Sequence, residues 1–200
     1  MTSLAWTTLE TPVGQVSVAC SESGVASVRF GPTPQQVNGP AGQESPTGQA
    51  TRADLAVEAG RQLGEYFSGG RRVFEVPLDW TGASRLQLQV LGTLFNAVAF
   101  GETVTYGALA RLAEACAPGL SLPARAIGQL MGFNPYPLIV PCHRVVAADG
   151  LGGYSGGTGI EIKRWLLTFE GSLPPTLDWA PAGPGELAAR FLRRTRIPGG

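Results

Sequence analysis

The spacing of the apolar residues changes once along this chain of 200 residues, and the change limits the folds open to it. Apolar side chains alternate over residues 16–20 and again over 25–30, with the turn-forming segment 21–24 between them. Two alternating runs joined in this way predict an antiparallel β-hairpin. From about residue 84 the apolar residues instead recur every three to four positions, which is typical of amphipathic helices. We therefore expect an α+β fold, in which a small N-terminal antiparallel sheet precedes a mainly helical part.

The rest of the first 80 residues adds one helix and one loop to this sheet. Apolar residues over 55–67 share a helical face, and the Gly69-Gly70 pair is expected to end the helix. Residues 31–52 contain four prolines and four glycines, a composition that predicts a flexible surface loop. Residues 1–80 are therefore predicted to form an N-terminal α+β domain.

Residues 81–171 are expected to form a second, mainly helical domain. Apolar periodicity predicts its helices near residues 86–98, 109–116, 127–131 and 162–169. Pro118-Gly119 and Pro123 separate the second helix from the third, so this pair is a helix-turn-helix candidate, with a helical hairpin that only packs as the alternative. The apolar run 138–140 is predicted to be a buried extended segment. Residues 172–200 form a Pro/Gly/Arg-rich tail, for which we expect disorder or a short helix near 186–194.

The composition excludes several classes of protein. No apolar run approaches the roughly 18 residues that a membrane span needs, and the first residues lack the pattern of a signal peptide. Three cysteines at unrelated spacings and one histidine predict reduced thiols, a cytoplasmic location and no zinc site. The 15 basic and 15 acidic side chains give zero net charge. This balance excludes a protein held on DNA mainly by neutralising many phosphates, but it allows a small, local contact with DNA.

Two glycine-containing segments resemble motifs of known enzyme classes but do not predict the activity of those classes. Gly153-Tyr-Ser-Gly-Gly157 matches the nucleophile elbow of serine hydrolases, but that motif needs a histidine later in the chain, and His143 precedes it. No Gly-Lys-Ser/Thr follows the glycines of residues 150–159, which excludes a phosphate loop. We expect these glycines to let the backbone approach another group closely.

The segment Pro141-Cys-His-Arg144 can carry nucleophilic chemistry. A free thiol is only slightly ionised at neutral pH, and an imidazole and a guanidinium can both favour the thiolate. In an extended chain Cys142 and His143 would point to opposite sides, so a water or a local bend is needed to connect them. A histidine that acts as a base also needs a hydrogen-bond acceptor that orients its ring. Glu170, at the negative end of the last helix, is the candidate. A buried cysteine beside a surface histidine is the alternative.

The same segment lies within a longer pattern. Asn134-Pro-Tyr-Pro-Leu-Ile-Val-Pro-Cys-His-Arg-Val-Val146 is followed by Gly153-Tyr-Ser-Gly-Gly157 and Trp165-Leu-Leu-Thr-Phe-Glu-Gly171. Together with Glu65-Tyr-Phe-Ser-Gly69 and Gly101-Glu-Thr-Val-Thr-Tyr-Gly107, these motifs closely resemble the O6-alkylguanine-DNA alkyltransferases. The resemblance covers about residues 8–171. It implies a ribonuclease H-like first domain, a helix-turn-helix DNA-binding second domain, and DNA repair by direct reversal.

The resemblance also implies a reaction and its residues. Cys142 would take an alkyl group from O6 of guanine, and by extension from O4 of thymine, in duplex DNA after nucleotide flipping. The transfer is irreversible, occurs once per molecule and needs no cofactor or metal. The catalytic group implied is Cys142, His143, Glu170 and Asn134. The guanine pocket implied is Tyr106, Val145, Tyr154, Ser155 and Gly156. The DNA contacts implied are Tyr106, Ala124, Arg125, Ala126, Gly128, Gly132 and Arg144, with Arg125 filling the gap left by the flipped nucleotide.

Two features of the third helix depart from the family pattern. Gly132 stands where many members carry a basic residue, and Phe133 replaces a small residue. The expected partner is double-stranded DNA that contains O6-alkylguanine. We expect the protein to bind this DNA as a monomer and not to associate with a membrane. Two alternatives stay open. The first is an alkyltransferase-like protein, which binds lesions without transferring the alkyl group, but proteins of that class lack the cysteine. The second is a cysteine hydrolase, but the local sequence signatures of that class are absent.

Overall fold

The computed structural model describes residues 4–33, 51–117, 119 and 121–174. They fall into two compact units, divided in sequence between Asp79 and Trp80. Most of the predicted loop 31–52 and most of the predicted tail, including the helix near 186–194, lie outside the described residues. Within the described ranges, no helix is long and apolar enough to cross a membrane.

The described residues of the first unit form a three-stranded antiparallel sheet with one helix. Its strands β1 (Ala5–Thr11), β2 (Gly14–Ser21) and β3 (Gly24–Phe30) lie in chain order. The predicted β2–β3 hairpin is therefore confirmed. Its turn requires glycine at position 24, because φ is 137° and an added Cβ would overlap the Pro77 carbonyl oxygen. Sequence reasoning did not find β1 because its side chains are partly exposed on both faces, so its apolar residues do not alternate.

The helix of the first unit, α1 (Arg52–Phe67), covers this sheet and starts at a capping box. The Thr51 side chain accepts a hydrogen bond from the Asp54 backbone, while the Asp54 carboxylate accepts one from the Thr51 backbone. Apolar side chains of α1 are buried on the face that packs against the sheet. These residues are Ala56, Ala59, Leu63 and Tyr66.

In its described residues, the second unit contains four α-helices and a two-stranded parallel sheet. The helices are α2 (Arg85–Ala97), α3 (Tyr106–Cys116), α4 (Ala124–Gly132) and α5 (Ile160–Phe169). The strands are β4 (Val104–Thr105) and β5 (Val145–Val146). All four helices predicted in this part of the chain are present, and α3 packs against both α2 and α4. The α+β prediction is confirmed.

The segment that leads from α4 to β5 differs from the prediction. Residues 138–140 are buried as expected, but they form turns instead of an extended run, and Leu138 has a φ of 75°. The extended conformation assumed for Cys142 and His143 is also wrong, because Cys142–Arg144 forms one turn of 3-10 helix. Three prolines at 135, 137 and 141 explain the difference: proline lacks the N–H that a strand would donate.

Candidate functional site

A cavity of about 590 Å³ lies in the second unit and joins the Cys142 turn to the exposed side of α4. It contains eight residues that the sequence singled out: Tyr106, Ala124, Arg125, Gly128, Gly132, Cys142, Tyr154 and Ser155. Gln129 and Met131 also line it, and sequence reasoning gave them no role in a site; Gly153, from the glycine segment that was expected to approach another group closely, lines it too. The other predicted site residues do not line the cavity; they are Ala126, Asn134, His143, Arg144, Val145, Gly156 and Glu170.

Cys142 begins the 3-10 turn and is only 7% exposed. Burial raises the pKa of its thiol, and a hydrogen bond from Asn134 and the positive charge of Lys163 oppose this rise only in part. The thiol is therefore mainly protonated at neutral pH. A nucleophilic reaction at this sulfur needs a base that removes the proton.

His143, the residue after Cys142, is completely buried, which excludes the alternative of a surface histidine. Burial lowers the pKa of its imidazole, so the ring is neutral at pH 7. Its Nε2 lies 3.0 Å from Oε1 of Glu170. An ionised carboxylate only accepts hydrogen bonds, so Nε2 carries the proton and Nδ1 has a free lone pair. No group within the described part of the chain bonds to Nδ1. The imidazole is thus oriented as a base.

Glu170 is the C-terminal cap of α5, as the sequence predicted, and it is held by two partners. Arg144 donates from Nε to Oε2 at 2.9 Å and from Nη2 to Oε1 at 3.0 Å. Burial alone would raise the pKa of Glu170, but the hydrogen bonds from His143 and Arg144 and the positive charge of Arg144 lower it to about 2. Since His143 is neutral, Arg144 supplies the compensating charge.

Arg144 occupies a position that does not fit a DNA contact. Its side chain is 7% exposed, and besides both Glu170 oxygens it reaches the Val98 carbonyl oxygen from Nη1 at 2.8 Å. A guanidinium with these buried partners is not available to phosphates. The prediction of Arg144 as a DNA-binding residue is therefore corrected: it neutralises the buried carboxylate that orients His143.

Asn134 fixes the chain just before the nucleophile. Its Nδ2 donates to the Val140 carbonyl oxygen at 2.8 Å, and its Oδ1 accepts from the Tyr136 backbone N–H at 3.0 Å. Both ends of the amide are thus used on the turn that leads to Cys142. This geometry fits the positioning role that the resemblance implies for Asn134.

The glycine loop after β5 packs against Tyr106, the first residue of α3. An added Cβ at Gly152, where φ is 69°, would lie 2.9 Å from Cε2 of the Tyr106 ring. The close backbone approach predicted for this loop is therefore present at Gly152. The Tyr106 hydroxyl also donates to the Gly153 carbonyl oxygen at 3.3 Å. Tyr106 thus lines the cavity and holds the loop whose residues 153–155 also line it.

Lys163 is a site residue that sequence reasoning missed. Its buried Nζ donates to the carbonyl oxygens of Val145 at 2.6 Å and Gly153 at 3.1 Å, and so connects the chain after Cys142 to the glycine loop. Burial lowers its pKa to about 8, against the opposing effect of Cys142. The available signal was its place between the apolar residues Ile162 and Leu166 of a helix, as the only lysine of the chain.

Two sequence families match the chain over adjacent ranges. The ribonuclease-like domain of 6-O-methylguanine DNA methyltransferase matches residues 4–80, and the DNA binding domain of the same protein matches residues 85–172. Together these matches cover most of the chain. The chain belongs to the 6-O-methylguanine DNA methyltransferase family. The resemblance found in the sequence is therefore confirmed, and the mainly helical part of the chain corresponds to the family's DNA-binding domain.

Individual members of this family are similar to the chain over most of its length. The methylated-DNA–protein-cysteine methyltransferase of Rattus norvegicus is 36% identical over 84% of this chain and 82% of its own. A DNA base-flipping protein of Thermus thermophilus is 39% identical over 82% of this chain and 99% of its own. The Mycobacterium tuberculosis OGT, solved in complex with DNA, is 31% identical with a TM-score of 0.65, over 92% of this chain and 98% of that one.

The low pKa of Lys163 predicts a pH dependence of stability. Its pKa is about 8 in the folded protein and 10.5 when unperturbed. Between these values the unfolded chain binds more protons, so the lysine makes the free energy of unfolding rise with pH, by at most about 3 kcal/mol. In Lys163→Met this rise is expected to disappear. Urea unfolding of both proteins from pH 7 to pH 10 measures it, and parallel curves would contradict a buried, weakly basic Lys163.

Proposed function

We propose that this protein repairs DNA by moving a methyl group from O6 of guanine in duplex DNA to Cys142. One observation carries the proposal: the Cys142 thiol lines the same cavity as the exposed side of α4, and the next residue, His143, is buried and hydrogen-bonded to Glu170. The methyltransferase relatives and the DNA complex of a similar protein support it. We further propose that O4 of thymine is accepted, and that the protein acts as a cytoplasmic monomer without a cofactor.

The reaction begins with ionisation of the thiol. The neutral His143 accepts the thiol proton through a bridging water at Nδ1, and Glu170 stabilises the imidazolium that forms. The thiolate then attacks the methyl carbon. The S–C bond forms while the C–O6 bond breaks, and the bonding pair stays on the guanine, which becomes neutral by taking up one proton. Tyr106 exchanges its hydrogen bond to the Gly153 carbonyl oxygen for one to the base, because a phenol hydroxyl donates only one hydrogen bond. The net change is exchange of the thiol proton for the methyl group.

The product explains why each molecule would act once. A thioether sulfur carries no proton that His143 could remove, and a methyl group bound to sulfur is not a substrate for water in a site without a further activating group. Among the described residues, Cys142 is the only cysteine that lines the cavity. The thiol is therefore consumed and not regenerated.

The base must leave the duplex to reach Cys142, at a cost of a few kcal/mol. Arg125 lies at the exposed start of α4 and is proposed to fill the gap in the stack. An added Cβ at Gly128 or Gly132 would lie no closer than 3.8 Å to any atom of the described residues, so packing within this part of the chain does not require either glycine. Glycine nevertheless costs a helix up to about 1 kcal/mol relative to alanine. We propose that the two glycines, with Ala124 and Ala126, let the helix approach the minor groove closely, and that this contact offsets the cost.

The guanine pocket is proposed to form between the Cys142 turn and the glycine loop. Tyr154 and Ser155 line the cavity beside the thiol, and Gly156 follows them. Lys163 fixes the carbonyl groups of Val145 and Gly153, and Gly153 lines the cavity. Carbonyl groups fixed in this way can accept hydrogen bonds from the guanine amino group, which favours guanine over adenine.

A second candidate is a protein that flips and marks alkylated bases without transferring the alkyl group. The similarity to a relative named as a DNA base-flipping protein favours it. The presence of Cys142, together with a histidine oriented as a base, favours the transferase.

Counting repaired lesions separates these functions. An excess of duplex DNA carrying one O6-methylguanine is incubated with the protein, and the methylated base that remains is quantified. We expect one lesion repaired per protein molecule and then no further reaction. Binding of the duplex without loss of the methyl group would support the base-flipping protein. Loss of several methyl groups per molecule would contradict a thioether product and indicate a turning-over enzyme.

A further inference from the structure

Gln129 is a polar residue of the α4 surface to which neither the sequence motifs nor the proposed chemistry gives a role. It is exposed and lines the cavity together with Arg125, which precedes it by one helical turn. At 3.6 residues per turn, Arg125, Gln129 and Gly132 share one face of the helix. Gln129 is therefore part of the surface that is proposed to enter the minor groove.

No group in the described part of the chain uses the amide of the Gln129 side chain. Within the described residues, no hydrogen bond is formed by the Gln129 side chain, whereas Gln62 and Gln87 both bond to neighbours. Gly128 precedes Gln129, and Gly132 lies about one turn further along the helix. Because glycine has no side chain, no neighbouring side chain at these two positions covers Gln129. The amide thus projects from between two positions without side chains, where a groove can approach most closely.

The amide of Gln129 differs in its chemistry from the guanidinium of Arg125, one helical turn earlier. Gln129 carries no charge and gains little from phosphates, but it offers both a donor and an acceptor. In the minor groove every base pair presents acceptors, while only a G·C pair adds a donor, the guanine amino group. A glutamine can therefore satisfy its NH2 group on any pair, but its carbonyl oxygen only on a G·C pair.

We propose that Gln129 contacts the minor-groove edge of a base pair next to the lesion and makes repair faster when that pair is G·C. This inference rests on the proposed function. Position 129 lies about 6 Å along the helix axis from position 125, which corresponds to about two base-pair steps of 3.4 Å. The pair concerned is thus the first or second neighbour of the nucleotide that Arg125 replaces. Gln129 is a specificity-determining residue.

The test compares duplexes that differ at one neighbouring pair. O6-methylguanine duplexes carry G·C, inosine·C or A·T at the first or second position on either side, and the rate of methyl transfer is measured below saturation. Inosine lacks only the amino group of guanine. For the wild type we expect the G·C duplex to react at least about fivefold faster than the inosine duplex at one of these positions.

The variant Gln129→Leu keeps the size and helix propensity of the side chain but removes both hydrogen-bonding groups. It is expected to react equally with the G·C and inosine duplexes, whereas Gln15→Leu, a matched change in the first unit, keeps the wild-type ratio. Single-stranded DNA carrying the lesion should react equally with wild type and Gln129→Leu. A wild-type ratio near one, or a ratio that Gln129→Leu retains, overturns the inference. If no duplex and no single strand transfers its methyl group, the proposed function itself fails.

Discussion

Replacing Glu170 with alanine is expected to lower the free energy of unfolding by about 3–5 kcal/mol, because it leaves a buried guanidinium without its partner. Glu170 accepts two hydrogen bonds from Arg144 and one from His143, and its side chain is fully buried. The same change removes the group that orients His143, so methyl transfer should also be lost. Urea unfolding and the rate of methyl transfer measure the two effects.

An exposed ion pair supplies the control for this prediction. Glu75 lies 3.1 Å from Arg71, but its side chain is 74% exposed, and exposed pairs contribute at most about 1 kcal/mol. Glu75→Ala should therefore change stability little and leave methyl transfer intact. Equal losses of stability in Glu75→Ala and Glu170→Ala would show that the buried network has no special energetic role.

The pKa of Glu170 gives this prediction a pH dependence. Its folded value of about 2 lies below the ordinary value of 4.5. The stabilisation is therefore complete above pH 4.5 and is lost as the pH falls towards 2. The difference in unfolding free energy between wild type and Glu170→Gln should shrink over this window. A difference that stays constant would contradict the low pKa.

Replacing Arg125 with alanine is expected to slow methyl transfer from duplex DNA about ten- to a hundredfold, while reaction with free O6-benzylguanine stays unchanged. Arg125 lies on the exposed face of α4 and forms no hydrogen bond or ion pair with the other described residues. Flipping a nucleotide costs a few kcal/mol, and a side chain inserted into the stack offsets part of that cost. A free base needs no flipping, so only the duplex reaction should suffer.

Arg111→Ala controls for the loss of one positive charge. Arg111 is exposed on α3 and does not line the cavity. Arg111→Ala should slow methyl transfer from duplex DNA less than Arg125→Ala does, and its effect should depend on the salt concentration. Equal losses for Arg125→Ala on the duplex and on the free base would contradict the flipping role.

The parts of the fold that were predictable from the sequence depend on short-range periodicity. The β2–β3 hairpin alternates cleanly, and α2 to α5 show apolar residues three and four positions apart, so each was found. β1 was missed because its pattern does not alternate. The 3-10 turn at Cys142 was missed because three prolines close together remove strand hydrogen bonds, an effect that apolar spacing does not report.

The candidate site was predictable only where a motif carries the chemistry. Cys142, His143 and Glu170 were found from residue type and position, and the structure places His143 and Glu170 in contact. The partners of Arg144 and Lys163 were not predictable, because each lies at a distance in sequence: Glu170 for Arg144, and the Val145 and Gly153 carbonyls for Lys163. A charged residue is normally exposed, and only the folded chain reveals such partners.

The mass of the intact protein after reaction tests the central claim most directly. The protein is incubated with duplex DNA carrying O6-methylguanine, weighed, and digested to locate any modification. We predict that the mass increases by one methyl group in place of one hydrogen, that the group lies on Cys142, and that Cys142→Ala binds the same duplex but gains no mass. An unmodified wild-type protein that has bound the lesion, or a methyl group on Cys20 or Cys116, would contradict the account.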